Sequence, residues 1–186
     1  MVELLDSWLG KHDIGLEFGA GRSTLWLAGR VKNLISVEHD PEWHEKVKGE
    51  LRKNGTDKQV KMCLFEDGKF EKSESEYVNV AREIEDGTLD FCLVDGNARD
   101  HCALASVDKI KPGGILIVDD VERYIPRNKK TRSPNARSVS DGFSSEGWKN
   151  FAELVKGWRC VWTTNGIKDS ALWMKPGKNQ LLVFHR

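Results

Sequence analysis

Several absences narrow the possibilities before any residue is singled out. No apolar run exceeds the length of a strand, and no amino-terminal stretch has the layout of a secretory leader. A soluble, cytoplasmic protein with no membrane role is expected. There is no surplus of charge: 29 basic residues meet 29 acidic ones, so the whole-molecule field favours neither nucleic acid nor an anionic membrane. No C-x-x-C spacing joins the four cysteines. Cys63, Cys92 and Cys160 fall within expected strands, and together with Cys102 they read as small buried hydrophobes in a reducing compartment rather than as metal ligands or disulfide partners. Internal repeats and a domain linker are also missing, so the 186 residues are expected to form a single domain.

What is present is organised around Leu16 to Ala28, LEFGAGRSTLWLA. It combines a short apolar strand, an acid, a glycine-rich turn and a helix opening. Gly19 and Gly21 allow a tight turn and a close approach of backbone to ligand, and the first amides of the helix point at whatever is bound. A dinucleotide fingerprint would need a third glycine where Thr24 stands. Glu17 suits a ligand with a cationic amine or hydroxyls better than it suits a pyrophosphate.

The rest of the chain repeats a strand and a helix in turn. Val2 to Leu9 reads as a short amphipathic helix, and Ile14 to Phe18 as the first strand. Asn33 to Val37 is the second, followed by Glu38, His39 and an Asp40-Pro41 helix start whose Trp43, Val47 and Leu51 share a face. Val60 to Phe65 is the third strand, ending in Glu66-Asp67-Gly68. Ser73 to Glu85 reads as a polar, solvent-facing helix. Leu89 to Val94 runs into Asp95-Gly96, and a helix with Ala103, Val107 and Ile110 on its apolar face stops at Lys111-Pro112-Gly113-Gly114. Ile115 to Val118 then runs into Asp119 and Asp120. This order predicts an α/β fold with a mostly parallel sheet flanked by helices. Trp148, Phe151, Ala152 and Val155 form a late helix face. Trp158 to Thr164 and Ser170 to Met174, joined through Asn165-Gly166, predict a C-terminal antiparallel hairpin, and the final LLVFHR is an edge or a packed tail.

LEFGAGRST, SVEHD, FEDG, LVDG and KPGGILIVDD, in this order and at these intervals, make the chain resemble the class I S-adenosylmethionine-dependent methyltransferases along nearly its whole length. The resemblance implies a Rossmann-like fold and S-adenosylmethionine as cofactor. Glu38 would accept both ribose hydroxyls, with His39 beside the ribose or adenine and Asp67 taking the adenine amino group. Glu17 and the turn Gly19, Ala20 and Gly21, with Ser23 at the helix opening, would hold the methionine part, and Asp95 would flank it. The plain alternative for Glu38 and Asp67 is turn capping on a solvated edge.

A sulfonium donor is already activated, so no catalytic triad is needed and none is visible. Nucleobase amino-methyltransferases typically carry (D/N)-P-P-(Y/F) after strand four; Asp95-Gly96-Asn97-Ala98 argues against that subclass. The resemblance to catechol-type O-methyltransferases instead makes oxygen the favoured acceptor atom. It assigns Asp95, Asp119 and Asp120 to a divalent cation such as Mg²⁺, with Asp95 and Asp119 as catalytic groups. The lysine expected after the first of these acids is absent, with Ala98 and Arg99 in its region. Capping of a turn is the alternative for Asp119 and Asp120. His101 is a candidate general base or, equally, a surface histidine.

The segment at about 122–147 is the one long irregular insert. Arg123, Arg127, Lys129, Lys130, Arg132 and Arg137 lie in it with no acid between positions 123 and 137. Setting those six aside leaves 23 basic against 29 acidic residues, so the remainder is net −6. The insert is a candidate lid selecting an anionic small-molecule acceptor, or a solvated loop. With Tyr124 the one aromatic residue of the basic run 123–137, nucleic acid is disfavoured. Trp8, Trp148 and the late hairpin are candidates for a homodimer surface, although core and edge packing explains the seven tryptophans more simply. The rival readings are a nucleotide-dependent oxidoreductase and a non-catalytic cofactor-binding or scaffold protein.

Overall fold

The computed structural model describes residues 1–66, 75–128 and 133–177. The expectations placed on Asp67, Lys129, Lys130, Arg132 and the terminal run at 181–186 lie outside these residues.

Seven strands form one sheet in the order β3-β2-β1-β4-β5-β7-β6. They are β1 (Ile14–Phe18), β2 (Asn33–Glu38), β3 (Val60–Leu64), β4 (Leu89–Val94), β5 (Ile110–Asp119), β6 (Arg159–Thr164) and β7 (Asp169–Met174). Strands β1 to β5 pair in parallel, and β7 runs antiparallel to both β5 and β6. The expected hairpin is therefore present, with Thr164 opposite Asp169 and Gly166 taking a positive φ of 91° in its loop. The central strands bury residues on both faces, which is why they read as near-continuous apolar runs. Leu27, Leu34, Val47, Phe91 and Ile117 belong to the core on one face, and Phe18, Tyr77, Cys102, Phe151 and Trp173 to the core on the other.

Six helices cover the sheet: α1 (Val2–Trp8), α2 (Arg22–Ala28), α3 (Pro41–Lys53), α4 (Glu76–Arg82), α5 (Arg99–Ser106) and α6 (Glu146–Leu154). Asp40 caps α3 by accepting from the Trp43 amide at 2.8 Å, and Pro41 fills the first position, where no amide partner is needed. Ser75 and Ser145 cap α4 and α6 in the same way.

Some local readings are corrected. Helix α4 is not solvent-facing, because Tyr77, Val78 and Ala81 are buried on its inner side. Ile110 belongs to β5 rather than to the preceding helix. The Lys111-Pro112-Gly113-Gly114 run interrupts the β4–β5 register inside that strand, with Gly113 at φ 85°. Cys160 is exposed on β6 and Cys63 is half-buried, so only Cys92 and Cys102 behave as core residues. Trp148 is 2% exposed and packs on Tyr124 and Phe151, which removes it from any oligomer surface. No described helix is long and apolar enough to cross a membrane.

Candidate functional site

From β1 the sheet grows outward in one direction through β2 and β3, and from β4 in the other through β5, so the topological switch lies between β1 and β4. Open α/β sheets bind ligands outside the strand carboxyl ends at such a point. A cleft of about 570 Å³ lies there, lined by the turn Gly19 to Ser23, by Glu38, His39, Asp40 and Trp43, and by Asp95, Gly96, Asn97 and Arg99.

The two glycines of the turn have different tasks. Gly19 has φ 93°, and a Cβ there would lie 2.8 Å from the Gly96 Cα, so the loops after β1 and β4 touch backbone to backbone. A Cβ on Gly96 would fall 2.0 Å from the Tyr77 hydroxyl and 2.8 Å from the Gly19 nitrogen. Gly21 is extended, with φ 175°, and a Cβ on it would meet nothing nearer than Trp43 Nε1 at 3.9 Å. Its missing side chain leaves open cleft rather than relieving strain.

Glu17 does not face this cleft. It is fully buried, and its Oε2 accepts from the Thr24 hydroxyl at 2.5 Å and the Ser36 hydroxyl at 2.7 Å. Thr24 Oγ1 in turn accepts from the Gly21 amide at 2.8 Å. A chain of contacts thus runs from the strand to the turn, and Thr24 closes it where a dinucleotide fold has glycine. Burial pushes the Glu17 carboxyl up to about 7, against the lowering effect of its hydroxyl partners.

Glu38 closes β2 and is 3% exposed. Its Oε2 accepts from the Ala20 amide at 3.0 Å, and its Oε1 accepts from the His39 and Asp40 amides at 2.8 and 2.9 Å. His39 Nδ1 lies 2.8 Å from the same Oε1. The carboxylate ties the glycine turn to the start of α3, and a carboxylate's four lone-pair directions leave Oε2 able to accept again.

Asp95, Asp119 and Asp120 do converge, with ligand atoms within 4.8 Å of one another. Two of them are already matched by cations, and the third by a hydroxyl. Lys168 Nζ sits 2.9 Å from Asp120 Oδ1, Arg99 Nη2 lies 2.9 Å from Asp95 Oδ1, and Asp119 Oδ1 accepts from the Ser170 hydroxyl at 2.5 Å. Asp120, in the left-handed region at φ 53°, is 3% exposed and lines neither the cofactor-sized cleft nor its neighbour. These residues fit a divalent cation poorly, because an ammonium and a guanidinium occupy the charge-balancing positions. Burial, with Asp119 and Asp120 nearby, pushes the Asp95 carboxyl up to about 6 despite Arg99.

His101 donates its amide to the Asp100 carboxylate and does not line the cleft. Trp43 and Arg99 are among the lining residues that the sequence reading does not place in the site. Trp43, expected on one helix face with Val47 and Leu51, stands 39% exposed on the cleft wall with its Nε1 donating to the Ala20 carbonyl at 2.7 Å. Its position one turn after the acid that closes β2 is the signal that could have marked it. Arg99 donates to the carbonyls of Gly96, Asp95 and Asp119 at 2.9, 3.0 and 2.6 Å, joining the β4 and β5 ends. Of the insert's described arginines, Arg123 is exposed, 3.8 Å from Asp120 Oδ2, and the other two make contacts within the chain. Arg127 lies over the Trp162 ring, and Arg137 donates to the Gly142 and Asp141 carbonyls.

A parallel sheet of this order, closed by an antiparallel β7 and carrying its cleft at the β1/β4 switch, is the Rossmann-like architecture of the class I S-adenosylmethionine-dependent methyltransferases. Residues 16–121 match the model of a family described as a methyltransferase domain; this is more than half of the chain, which belongs to that family. No curated protein matches the sequence. Among solved structures, the chain is similar to the precorrin 8W decarboxylase of Methanobacterium thermoautotrophicum, with 20% identity, 94% of this chain and 88% of that one covered, and a TM-score of 0.58. It is also similar to the O-methyltransferase TomG of Streptomyces achromogenes, solved with its cofactor, with 16% identity, 89% and 74% coverage and a TM-score of 0.59. The tRNA (m1A58) methyltransferase TrmI of Aquifex aeolicus shares 14% identity over 92% of this chain and 65% of that one, with a TM-score of 0.55. At these identities the likeness is one of fold.

Proposed function

We propose that the chain transfers a methyl group from S-adenosylmethionine to the oxygen of a small-molecule acceptor, with the cofactor held in the cleft at the β1/β4 switch. The observation that carries this reading is the open space before Gly21, facing Trp43 and flanked by Glu38. Glu38 Oε2 would accept from the ribose, with His39 at the rim. Trp43 would pack on the cofactor's flat part, and the amides of Ala20 and Gly21 with Ser23 would hold the amino-acid end beside Asp95. The cofactor supplies an activated methyl group, which leaves the protein to align and desolvate the partners.

Neither a divalent cation nor the basic insert has a part in this reading. Lys168 and Arg99 already neutralise the acidic cluster, and Arg127 and Arg137 are spent on internal contacts. Thermal shift with S-adenosylhomocysteine and with NAD tests the proposal. A bound ligand at a hundred times its Kd stabilises by about 2.7 kcal/mol. Stabilisation by S-adenosylhomocysteine alone is expected; stabilisation by NAD alone would overturn the reading.

A further inference from the structure

A second cleft of about 370 Å³ adjoins the first and shares Arg22, Ser23 and Asp95 with it. It lies between α1 and α2, over the ends of β4, β5 and β7. Its walls and floor are apolar: Leu5 from α1, Trp26 and Leu27 from α2, Leu93 from β4 and Ile117 from β5. Polar groups stand only at its mouth. Because an apolar cavity of about 150 Å³ holds a benzene ring, this volume accommodates one or two rings.

We propose that this cleft binds the methyl acceptor, and that the acceptor is a neutral, mainly apolar molecule of one or two rings whose hydroxyl is oriented by Asp95. The inference rests on the cofactor reading of the adjoining cleft and names the substrate class. Asp95 is the carboxylate that both clefts share, and it can accept a hydrogen bond from an acceptor hydroxyl. It commits Oδ1 to Arg99, while Asp119 at the same mouth is held by Ser170. Charge selects against an anion. Two carboxylates, Asp95 and Asp119, face the cleft, and among its lining side chains Arg22, at the rim shared with the cofactor cleft, is the one cation. The anionic acceptor expected from the basic insert is therefore replaced by a neutral one. Burial of an aromatic body against Trp26, Leu93 and Ile117 supplies the affinity, and one hydrogen bond at the mouth supplies the orientation.

Equilibrium dialysis of 2-naphthol and 2-naphthyl phosphate, each with and without S-adenosylhomocysteine, tests this. The wild-type chain is expected to bind 2-naphthol about tenfold or more tightly than the phosphate, with nuclear Overhauser contacts from the naphthol ring to the Trp26 indole. Trp26→Ala should weaken 2-naphthol about tenfold, Trp26→Phe should restore most of the loss, and both should leave S-adenosylhomocysteine affinity within about twofold. Binding of S-adenosylhomocysteine without 2-naphthol, equal binding of the phosphate, or naphthol bound away from Trp26 would each overturn the proposal. Naphthol bound against Trp26 by a chain that does not bind S-adenosylhomocysteine would instead overturn the cofactor reading and leave the apolar cleft standing. The Overhauser contacts are measured on the wild-type chain and so do not depend on the variants folding.

Discussion

The Lys168 ammonium reaches back from the β6–β7 loop to hold both oxygens of the buried Asp120, at 2.9 and 3.1 Å, from the centre of a three-carboxylate cluster. An acidic trio that would otherwise suit a hard cation is thus closed from within the chain. Added Mg²⁺ or chelator is expected to leave the wild-type melting temperature unchanged. Lys168→Met should cost about 1–3 kcal/mol, since it removes the nearest cation from a carboxylate that is 3% exposed and leaves it Arg99 and Arg123 at 3.7 and 3.8 Å. In that variant Mg²⁺ should become stabilising. Stabilisation of the wild type by Mg²⁺ would return the metal to the site.

Gly21 and Gly96 separate binding from folding. Gly96→Ala drives a methyl group into the Tyr77 hydroxyl and should destabilise by about 1–3 kcal/mol or more in urea titrations. Gly21→Ala meets no atom within 3.4 Å, so its stability should stay within about 0.5 kcal/mol of wild type while S-adenosylhomocysteine affinity falls about tenfold.

Glu38 has a structural and a binding task at once. Glu38→Gln keeps the shape but removes the charge from hydrogen bonds with three backbone amides and from the lone pair offered to ribose. Charge-assisted bonds are worth about 1.5–3 kcal/mol, so calorimetry should show a loss of about 10- to 100-fold in S-adenosylhomocysteine affinity, with a lowered melting temperature.

Glu17 should give the fold a pH dependence. Its carboxyl rises from an ordinary 4.5 to about 7 in the folded chain, so the native state binds the proton more tightly than the unfolded one. Stability associated with this group is full below about 4.5 and falls as pH rises toward 7, then levels off, a loss of about 3 kcal/mol. Denaturation of wild type and Glu17→Gln at pH 5 and pH 8 should show that slope in the wild type and a flatter one in the variant. Equal slopes would mean that Glu17 does not carry the effect.

The succession of strands and helices along the chain, the acids that close the strands and the hairpin were legible because they depend on local patterns. Apolar runs of five or six residues, a capping Asp40-Pro41 and an Asn165-Gly166 loop each specify their own element. Side-chain direction was not legible at the sheet edge. Glu17 was expected in the cofactor site because it adjoins the glycine turn, but strand alternation turns it toward Thr24 and Ser36. Trp43 was placed on one helical face with Val47 and Leu51. That face overhangs the strand ends at its first turn, so the same side chain lines the cleft.

Sequence alone determined the parallel α/β sheet and the place of the glycine turn within it, since hydrophobic period and turn chemistry are written within a few residues of each element; the class of enzyme came with the family resemblance of its motifs. Tertiary structure decided which charges meet. Lys168 and Asp120 are 48 residues apart, and Arg99 reaches the Asp119 carbonyl across 20. No local rule pairs residues at such distances; the antiparallel return of β7 beside β5 does, and it sets Lys168 against the acidic cluster beside an apolar cleft.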